Sequence, residues 1–361
     1  VEVCFLKPTS TLFFCHRPPS PTTDSTRYPG TGCLSFPRVP ELPEVETVRR
    51  GLNLVTLHQE IQGGDVLLSR TIAYPASGME FLSGLKGSTI AQWHRRGKYL
   101  LAELIKQKAE GGTQSSVPSP QFPVSTQKLE LKTHNSYPPP PTPHPTPAGF
   151  LGVHLRMTGQ LLWLNQSEPL QKHTRVRLFF ANGQELRFVD QRTFGQMWWV
   201  PPDHSPELIM TGLQHLGPEP FSEDFSLPYF MHQLKHRRRP IKNALLDQAI
   251  VAGIGNIYAD EALFLSGIHP NTLCVDLNRK KLDRLRTNIL QVLQTSIDAK
   301  GTSFSTFRNV EGVNGNYGGV AWVYARDGET CRTCGTVIER IRMAGRSAHF
   351  CPKCQRGKDK G

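Results

Sequence analysis

The chain has 361 residues and a formal net charge of +12, from 42 Lys and Arg against 30 Asp and Glu. That length supports one or two domains with ample core, and the charge favours a polyanion, nucleic acid first, over a merely basic soluble protein. No run approaches the ~18 apolar residues of a membrane span, which excludes a helical membrane protein.

Residues 1–38 contain Ser, Thr and Pro, with Glu2 and Asp24 as their acids. They have neither an Arg-rich amphipathic pattern nor a signal-peptide core, and read as a disordered or non-native extension. The stretch PELPEVETVRRGL then predicts a helix over 43–52. Pro43 takes its first position, Glu44 and Glu46 its first turn, and Val45, Val48 and Leu52 one apolar face. Segments 66–75, 89–105, 149–164, 174–190 and 194–200 are rich in β-branched, aromatic and alternating residues. They predict strands, with Ala181-Asn182-Gly183 as a hairpin turn. The N-terminal half is therefore mostly β, with a helix covering each end of the sheet. Between two of its strands, residues 107–147 hold ten of the 29 prolines. This composition predicts a disordered hairpin insertion, a tolerated loop expansion more than a ligand for a proline-binding module.

After residue 225 the pattern turns helical, over 228–238, 241–248, 256–268 and 277–297. The last carries Leu282, Leu285, Ile289, Val292 and Leu293 on one face. A Gly-rich loop follows at 301–319, then a short β segment, VAWVYAR, and the paired cysteines that close the chain. There are no internal repeats.

Three constellations carry chemistry. Of eight cysteines, Cys4, Cys15, Cys33 and Cys274 are scattered, while CRTC (331–334) and CPKC (351–354) are paired. Cys331, Cys334, Cys351 and Cys354 have the spacing of a closed zinc-ribbon site holding one structural Zn2+, in a reducing compartment. Segment 331–361 has eight Lys and Arg against two acids, which suits a phosphate-contacting finger carrying Arg346 between the two turns. The second constellation is KHRRRPIKNALLDQAIVAGIGNIYADEALF. Gly253-Ile254-Gly255 makes a tight turn, Asn256 opens a helix whose amides suit an anion, and Lys242 adds charge. A dinucleotide-binding loop is the competing reading and lacks its third glycine; a helix hairpin with merely solvated charges is the bland one. The third is PELPEVE with RRGKYL. A terminal proline amine has a pKa near ~8 against ~10.4 for lysine, leaving roughly a tenth of it neutral at pH 7. Such an amine can attack a sugar C1′, and Glu41 beside it can protonate the departing sugar oxygen.

These motifs, with HLRMTGQL, DQRTFG, HLGPEP and GVNGNYGG, stand in the order of the bacterial formamidopyrimidine-DNA glycosylases. From Pro40 to Cys354 the chain resembles that family, and NGNYGG and AGRS look most like its cyanobacterial members. The resemblance implies an α+β protein: an N-terminal β-sandwich with flanking helices, then a helix–two-turn–helix domain ending in a zinc-finger β-hairpin. The expected boundaries are an extension at 1–38, the sandwich at 39–215 and a linker with the first helix at 216–234. The helix–two-turn–helix domain follows at 235–325, with the lesion loop at 301–319, and the finger at 326–361. The implied activity is that of a bifunctional glycosylase and AP lyase of base excision repair. It removes 8-oxoguanine and formamidopyrimidines from double-stranded DNA by a proline Schiff base and β,δ-elimination. The target nucleotide is flipped out of the stack, since its C1′ is inaccessible within it. By the same resemblance Pro40 is the nucleophile, Glu41 the proton donor, Lys98 the lysine of phosphate contact and β-elimination, and Arg346 the finger arginine of δ-elimination. Met157, Arg192 and Phe194 fill the emptied stack; without the family, Met157 and Phe194 read as ordinary core. His173, Arg238, Lys242 and Asn256 contact the DNA backbone. A monomer in the bacterial cytoplasm, associated with the nucleoid, is expected.

Three departures stand out: the long insertion, Arg156 where a glycine is common, and Thr193 where a second arginine can occur. Two other readings remain, an endonuclease VIII-like enzyme for oxidised pyrimidines and a catalytically dead DNA-binding protein. The latter follows if Pro40 stays internal, because an amide nitrogen has no usable lone pair. The first methionine is Met79 and Val39 immediately precedes Pro40. A GTG codon reads as valine within a frame and starts translation as formyl-methionine, so residues 1–38 are expected to be upstream reading frame.

Overall fold

The computed structural model describes residues 40–106, 145–300 and 320–356. The extension 1–38, nearly all of the insertion and the lesion loop 301–319 lie outside the described residues. The insertion ends earlier than expected, because Thr146 and Pro147 already belong to a strand and pair with Lys106 and Ile105.

The first helix, α1 (Leu42–Val55), starts one residue before the predicted one and ends three after it. Glu41 is its N-cap, and the Glu44 carboxylate turns back to accept the Glu41 N–H at 2.9 Å, the return half of a capping box. A four-stranded sheet has the order β1 (Gly63–Val66), β7 (Thr174–Phe179), β8 (Gln184–Asp190), β6 (Gly159–Asn165). A five-stranded sheet has the order β2 (Ile72–Tyr74), β9 (Gln196–Val200), β5 (Thr146–His154), β4 (Tyr99–Lys106), β3 (Thr89–Arg96). Only the β2–β9 pair is parallel among these. The predicted strand 66–75 is thus two strands in different sheets, separated by a 3-10 turn at Ser69–Thr71. The turn at Asn182 and Gly183 is confirmed by left-handed φ values of 59° and 69°.

The two sheets enclose a core that includes Trp93, Leu100, Leu151, Leu161, Val176 and Phe188. Helix α2 (Gly78–Leu85) covers it as well as α1; the sequence predicts a helix at each end of the sheet without giving this one its residues, although Ser77 and Glu80 spell a helix start and the Ser77 Oγ accepts the Glu80 N–H. Gly84 is required there, since a Cβ would lie 2.3 Å from the Trp199 indole.

The second core is helical. After the short α3 (Pro206–Ile209), it comprises α4 (Leu227–Leu234), α5 (Ile241–Leu245), α6 (Asn256–Ser266) and α7 (Arg279–Asp298). All five residues of the predicted α7 face are buried. Leu42 packs into this core, whereas Val45, Val48 and Leu52, one turn or more along the same helix, pack into the sandwich. The hairpin β10 (Glu339–Met343) and β11 (Arg346–Phe350) closes the described chain. VAWVYAR is not a strand. The N–H groups of Trp322, Val323 and Tyr324 all donate to the Glu261 carboxylate, at 2.7, 3.0 and 2.9 Å, and this bends the segment into turns. Among the described residues, no helix is long and apolar enough to cross a membrane.

On the outer face of β8, Glu185 and Arg187 are fully buried and paired, and Arg187 also donates to the carbonyls of Glu168 and Pro169. Arg177 reaches the other oxygen of the same carboxylate at 2.6 Å, so removing Arg187 leaves Glu185 with one partly exposed cation in place of two and leaves the buried volume of the Arg187 side chain empty. Arg187→Ala is therefore expected to lower stability by about 2–5 kcal/mol, the range for truncating a large buried side chain, read as a fall in the urea midpoint; Arg187→Met, which fills more of the volume, should lose less.

Candidate active site

The site is built where PELPE meets GIGN. Pro40 and Glu41 are buried, and the Leu42 N–H donates to the Gly253 carbonyl at 3.1 Å. The Glu41 carboxylate then reaches the start of α6, accepting from the N–H groups of Ile257 at 3.0 Å and Tyr258 at 3.5 Å. The helix start does hold an anion, as its sequence suggested, and that anion is a side chain of the same protein. Both glycines are needed for this contact. A Cβ on Gly255 would lie 2.2 Å from the Glu41 carboxyl carbon, and one on Gly253, whose φ is +86°, 2.6 Å from Leu42.

Burial pushes the Glu41 carboxyl up to about 7, with Glu44 adding to the rise and the Lys98 charge opposing it. Lys98 follows Gly97 in the β3–β4 turn and donates from Nζ to the Ile254 carbonyl at 3.0 Å. Burial holds its ammonium below the usual lysine value while Glu41 pulls it back up. The turn itself is tied to Glu219, which accepts from the Gly97 N–H at 2.5 Å and from the guanidinium groups of Arg95 and Arg96. Glu219 lies in HLGPEP, a motif whose sequence alone gives no sign of this role.

Behind Glu41 stands a second carboxylate. Glu44 accepts the Glu41 N–H on one oxygen and the Tyr258 hydroxyl, at 2.6 Å, on the other. The Tyr258 oxygen is also 2.6 Å from the Ser296 hydroxyl of α7, and burial raises its pKa well above the ordinary phenol value. Neither Tyr258 nor Ser296 carries a sequence signal for this role.

The remaining candidates fall into two groups. Asn256 opens α6, and its side-chain oxygen is buried without a partner among the described residues. Arg346 is exposed at the start of β11, and its positive charge depresses the pKa of both Lys98 and Lys242. Arg238 is exposed in the loop before α5. Met157, half-buried in the β5–β6 turn, and Phe194, 52% exposed in the β8–β9 loop, are not core residues. The Arg192 guanidinium lies 5.2 Å from the Phe194 ring centre. His173, half-buried, precedes β7.

Lys242 is placed otherwise than a DNA-contacting lysine. It is fully buried, 2.6 Å from the Asp260 carboxylate, and donates to the Ser347 carbonyl next to Arg346 at 2.5 Å. The other Asp260 oxygen accepts from the His349 N–H at 2.9 Å. Its charge is spent on fastening β11 to α6.

The four finger cysteines have Sγ atoms within 4.8 Å of one another, with Cys331–Cys354 at 3.9 Å and Cys334–Cys351 at 3.4 Å. A zinc ion ~2.3 Å from each sulfur sets edges of about 3.8 Å, so the donor set and its size fit a closed tetrahedral site. Those residues would hold the ion as a structural brace.

Three family models match. Residues 39–197 match the formamidopyrimidine-DNA glycosylase N-terminal domain, 216–308 its H2TH domain and 328–357 the zinc finger found in FPG and IleRS. The chain is 61% identical over 317 residues to a formamidopyrimidine-DNA glycosylase of Nostoc punctiforme, covering 88% of this chain and 96% of the relative. It is 56% identical over 327 residues to one of Trichodesmium erythraeum, covering 88% and 100%. Among solved structures it is similar to the Lactococcus lactis Fpg in complex with abasic-site DNA and with Fapy-dG DNA. Each gives a TM-score of 0.70, 31% identity and coverage of 88% of this chain and 100% of that one. A third complex of that protein holds DNA with an oxidised pyrimidine, at a TM-score of 0.71 and 31% identity, with the same coverage.

The raised Glu41 pKa has a sign that can be measured. The folded protein retains a proton that the unfolded chain releases above the ordinary value of 4.5, so this contribution to stability is full below that pH and is lost as pH rises through about 7. Glu41→Gln cannot ionise. Its urea midpoint should therefore rise relative to the parent between about pH 5 and about pH 8; a difference that stays constant across that window would refute the buried acid.

Proposed function

The chain belongs to the formamidopyrimidine-DNA glycosylase family, and we infer that it is a bifunctional DNA glycosylase and AP lyase acting on formamidopyrimidine and oxidised-base lesions in base excision repair. The observation that carries this reading is the Glu41 carboxyl, buried at the start of α6 with a pKa near 7, beside Pro40 and within reach of the Lys98 charge. An acid poised there can give a proton at neutral pH, which an ordinary carboxylate cannot.

The chemistry follows from that pairing. The Pro40 nitrogen attacks C1′ and the damaged base leaves with the electrons of the glycosidic bond, taking up the amine proton. Glu41 protonates the sugar ring oxygen as the ring opens, and the nitrogen lone pair completes an iminium at C1′. Loss of a C2′ proton expels the 3′-phosphate and loss of a C4′ proton the 5′-phosphate. Lys98 and Arg346 are the cations assigned to the two phosphate departures; water then frees the enzyme from the sugar remnant. His173, Arg238 and Asn256 grip the backbone. Met157 and Phe194 wedge into the gap while Arg192 faces the orphaned base. Lys242 serves by holding the Arg346 strand instead of by touching a phosphate. The zinc braces the finger and takes no part in the reaction. A repair enzyme of chromosomal DNA acts in the bacterial cytoplasm at the nucleoid, and the paired thiols of the finger suit that reducing setting.

The nucleophile must be a secondary amine, so a chain in which Val39 remains joined to Pro40 lacks it. Borohydride added to protein starting at Pro40 and duplex with 8-oxoguanine opposite cytosine should trap a covalent adduct at Pro40. The same protein with residues 1–39 retained should nick abasic duplex at least about a hundredfold more slowly, a conservative bound for removing a covalent nucleophile. Absence of the adduct with the Pro40-started chain would leave a DNA-binding protein without lyase activity. Faster excision of thymine glycol than of 8-oxoguanine would favour the endonuclease VIII-like reading.

A further inference from the structure

Asp190 is the first residue of DQRTFG, and its side chain has no place in the chemistry above. It is 1% exposed, at the end of β8 where the chain turns toward Arg192 and Phe194. One oxygen accepts the Thr158 hydroxyl and, at 3.2 Å, the Arg192 N–H; the other accepts the Gly195 N–H at 2.7 Å. The Thr158 oxygen in turn accepts the Arg192 N–H at 2.9 Å. Thr158 follows Met157 directly, so one carboxylate ties the turn carrying Met157 to the loop carrying Arg192 and Phe194. The Asp190 backbone reaches further, donating to the His173 carbonyl at 2.9 Å and accepting from Arg175 at 2.8 Å.

The two tied segments are strained. Arg156, just before Met157, has φ +54°, and Thr193, between Arg192 and Phe194, has φ +57°. A residue with a side chain persists in that region only where its surroundings over-determine it. A buried carboxylate with a hydroxyl and two amide donors is such a surrounding, and its bonds are charge-assisted. The Arg156 guanidinium adds a second tie across the same gap, donating to the Gln196 side chain at 2.9 Å.

We propose that Asp190, with Thr158, is a positioning residue that presents Met157, Arg192 and Phe194 as one rigid wedge, and thereby sets both base eversion and the preference for the base opposite the lesion. The proposal rests on the reading of those three residues as the stack-filling set. Asp190 touches no reacting atom. Its removal should cost most where a stacked base must be displaced and an orphaned base read, and least where the nucleotide is already abasic.

The test uses the Pro40-started, zinc-loaded protein with two variants. Asp190→Asn keeps the shape but turns one acceptor into an NH2 group, so one of the facing donors loses its partner. Thr158→Val deletes the shared hydroxyl at constant volume and serves if Asp190→Asn fails to fold. Under single turnover, each should excise 8-oxoguanine opposite cytosine about 10–100-fold more slowly, the loss expected of a misplaced positioning group. Each should also narrow the cytosine-over-adenine preference at least about threefold and cleave a preformed abasic site within about threefold of the parent. Unchanged excision and preference in both variants overturn the proposal, as does a parallel fall on lesion and abasic DNA. An inactive parent protein overturns the functional reading as well, which separates the two failures.

Discussion

The Glu41 carboxylate at the start of α6 is the interaction on which the site depends. It joins residues 216 positions apart in sequence, and it does two things at once. The amides give the acid a fixed direction, and the surrounding protein removes the water that would otherwise keep it ionised. Burial alone would raise the pKa and leave the side chain loose; amide donors alone would lower it. Their combination yields a carboxyl that is held in place yet still titrates near neutrality, and the two glycines before α6 supply the room. Glu44 and Tyr258 then fix the backbone from which Glu41 and Pro40 project.

Helix α6 repeats the device. Asp260 and Glu261 are consecutive and fully or almost fully buried, and each draws its donors from segments outside the helix. Glu261 gathers three successive N–H groups, while Asp260 pairs with Lys242 and takes the His349 N–H. The first two turns of one helix thus organise the buried Glu41 acid on one side and the arginine-bearing hairpin on the other. Charges buried in this way contribute little net stability but enforce a single arrangement. In the proposed reaction Pro40, Lys98 and Arg346 must meet on one nucleotide, and that arrangement is what matters.

Much of this was legible in the sequence. The cysteine pairs, the turn at Asn182-Gly183, the buried stripe of α7 and the order of the motifs all rest on short-range patterns that leave a mark in the residues themselves. What was not legible is where carboxylates find their donors. PELPE and GIGN read as separate motifs, one a nucleophile and the other an anion site, although each supplies what the other needs. VAWVYAR has the composition of a strand, and only Glu261, more than 60 residues earlier, turns it into bends. Lys242 reads as a free cation until Asp260 is seen beside it. Asp190 and Glu219 stand within motifs whose local pattern gives their side chains no role. In each case the missing information is a tertiary partner, which no periodicity encodes.

Helix α1 contributes Leu42 to the helical core and Val45, Val48 and Leu52 to the sandwich. The two halves are therefore not interchangeable modules. A recombinant that joined this sandwich to another relative's helical half would carry Leu42 into a foreign pocket and Glu41 onto a foreign helix start. Such a chimera could fold as two sound domains and still misaim its acid. The boundary at which this architecture can be cut and spliced is set by a single helical turn, and divergence on either side of it is constrained to proceed in step.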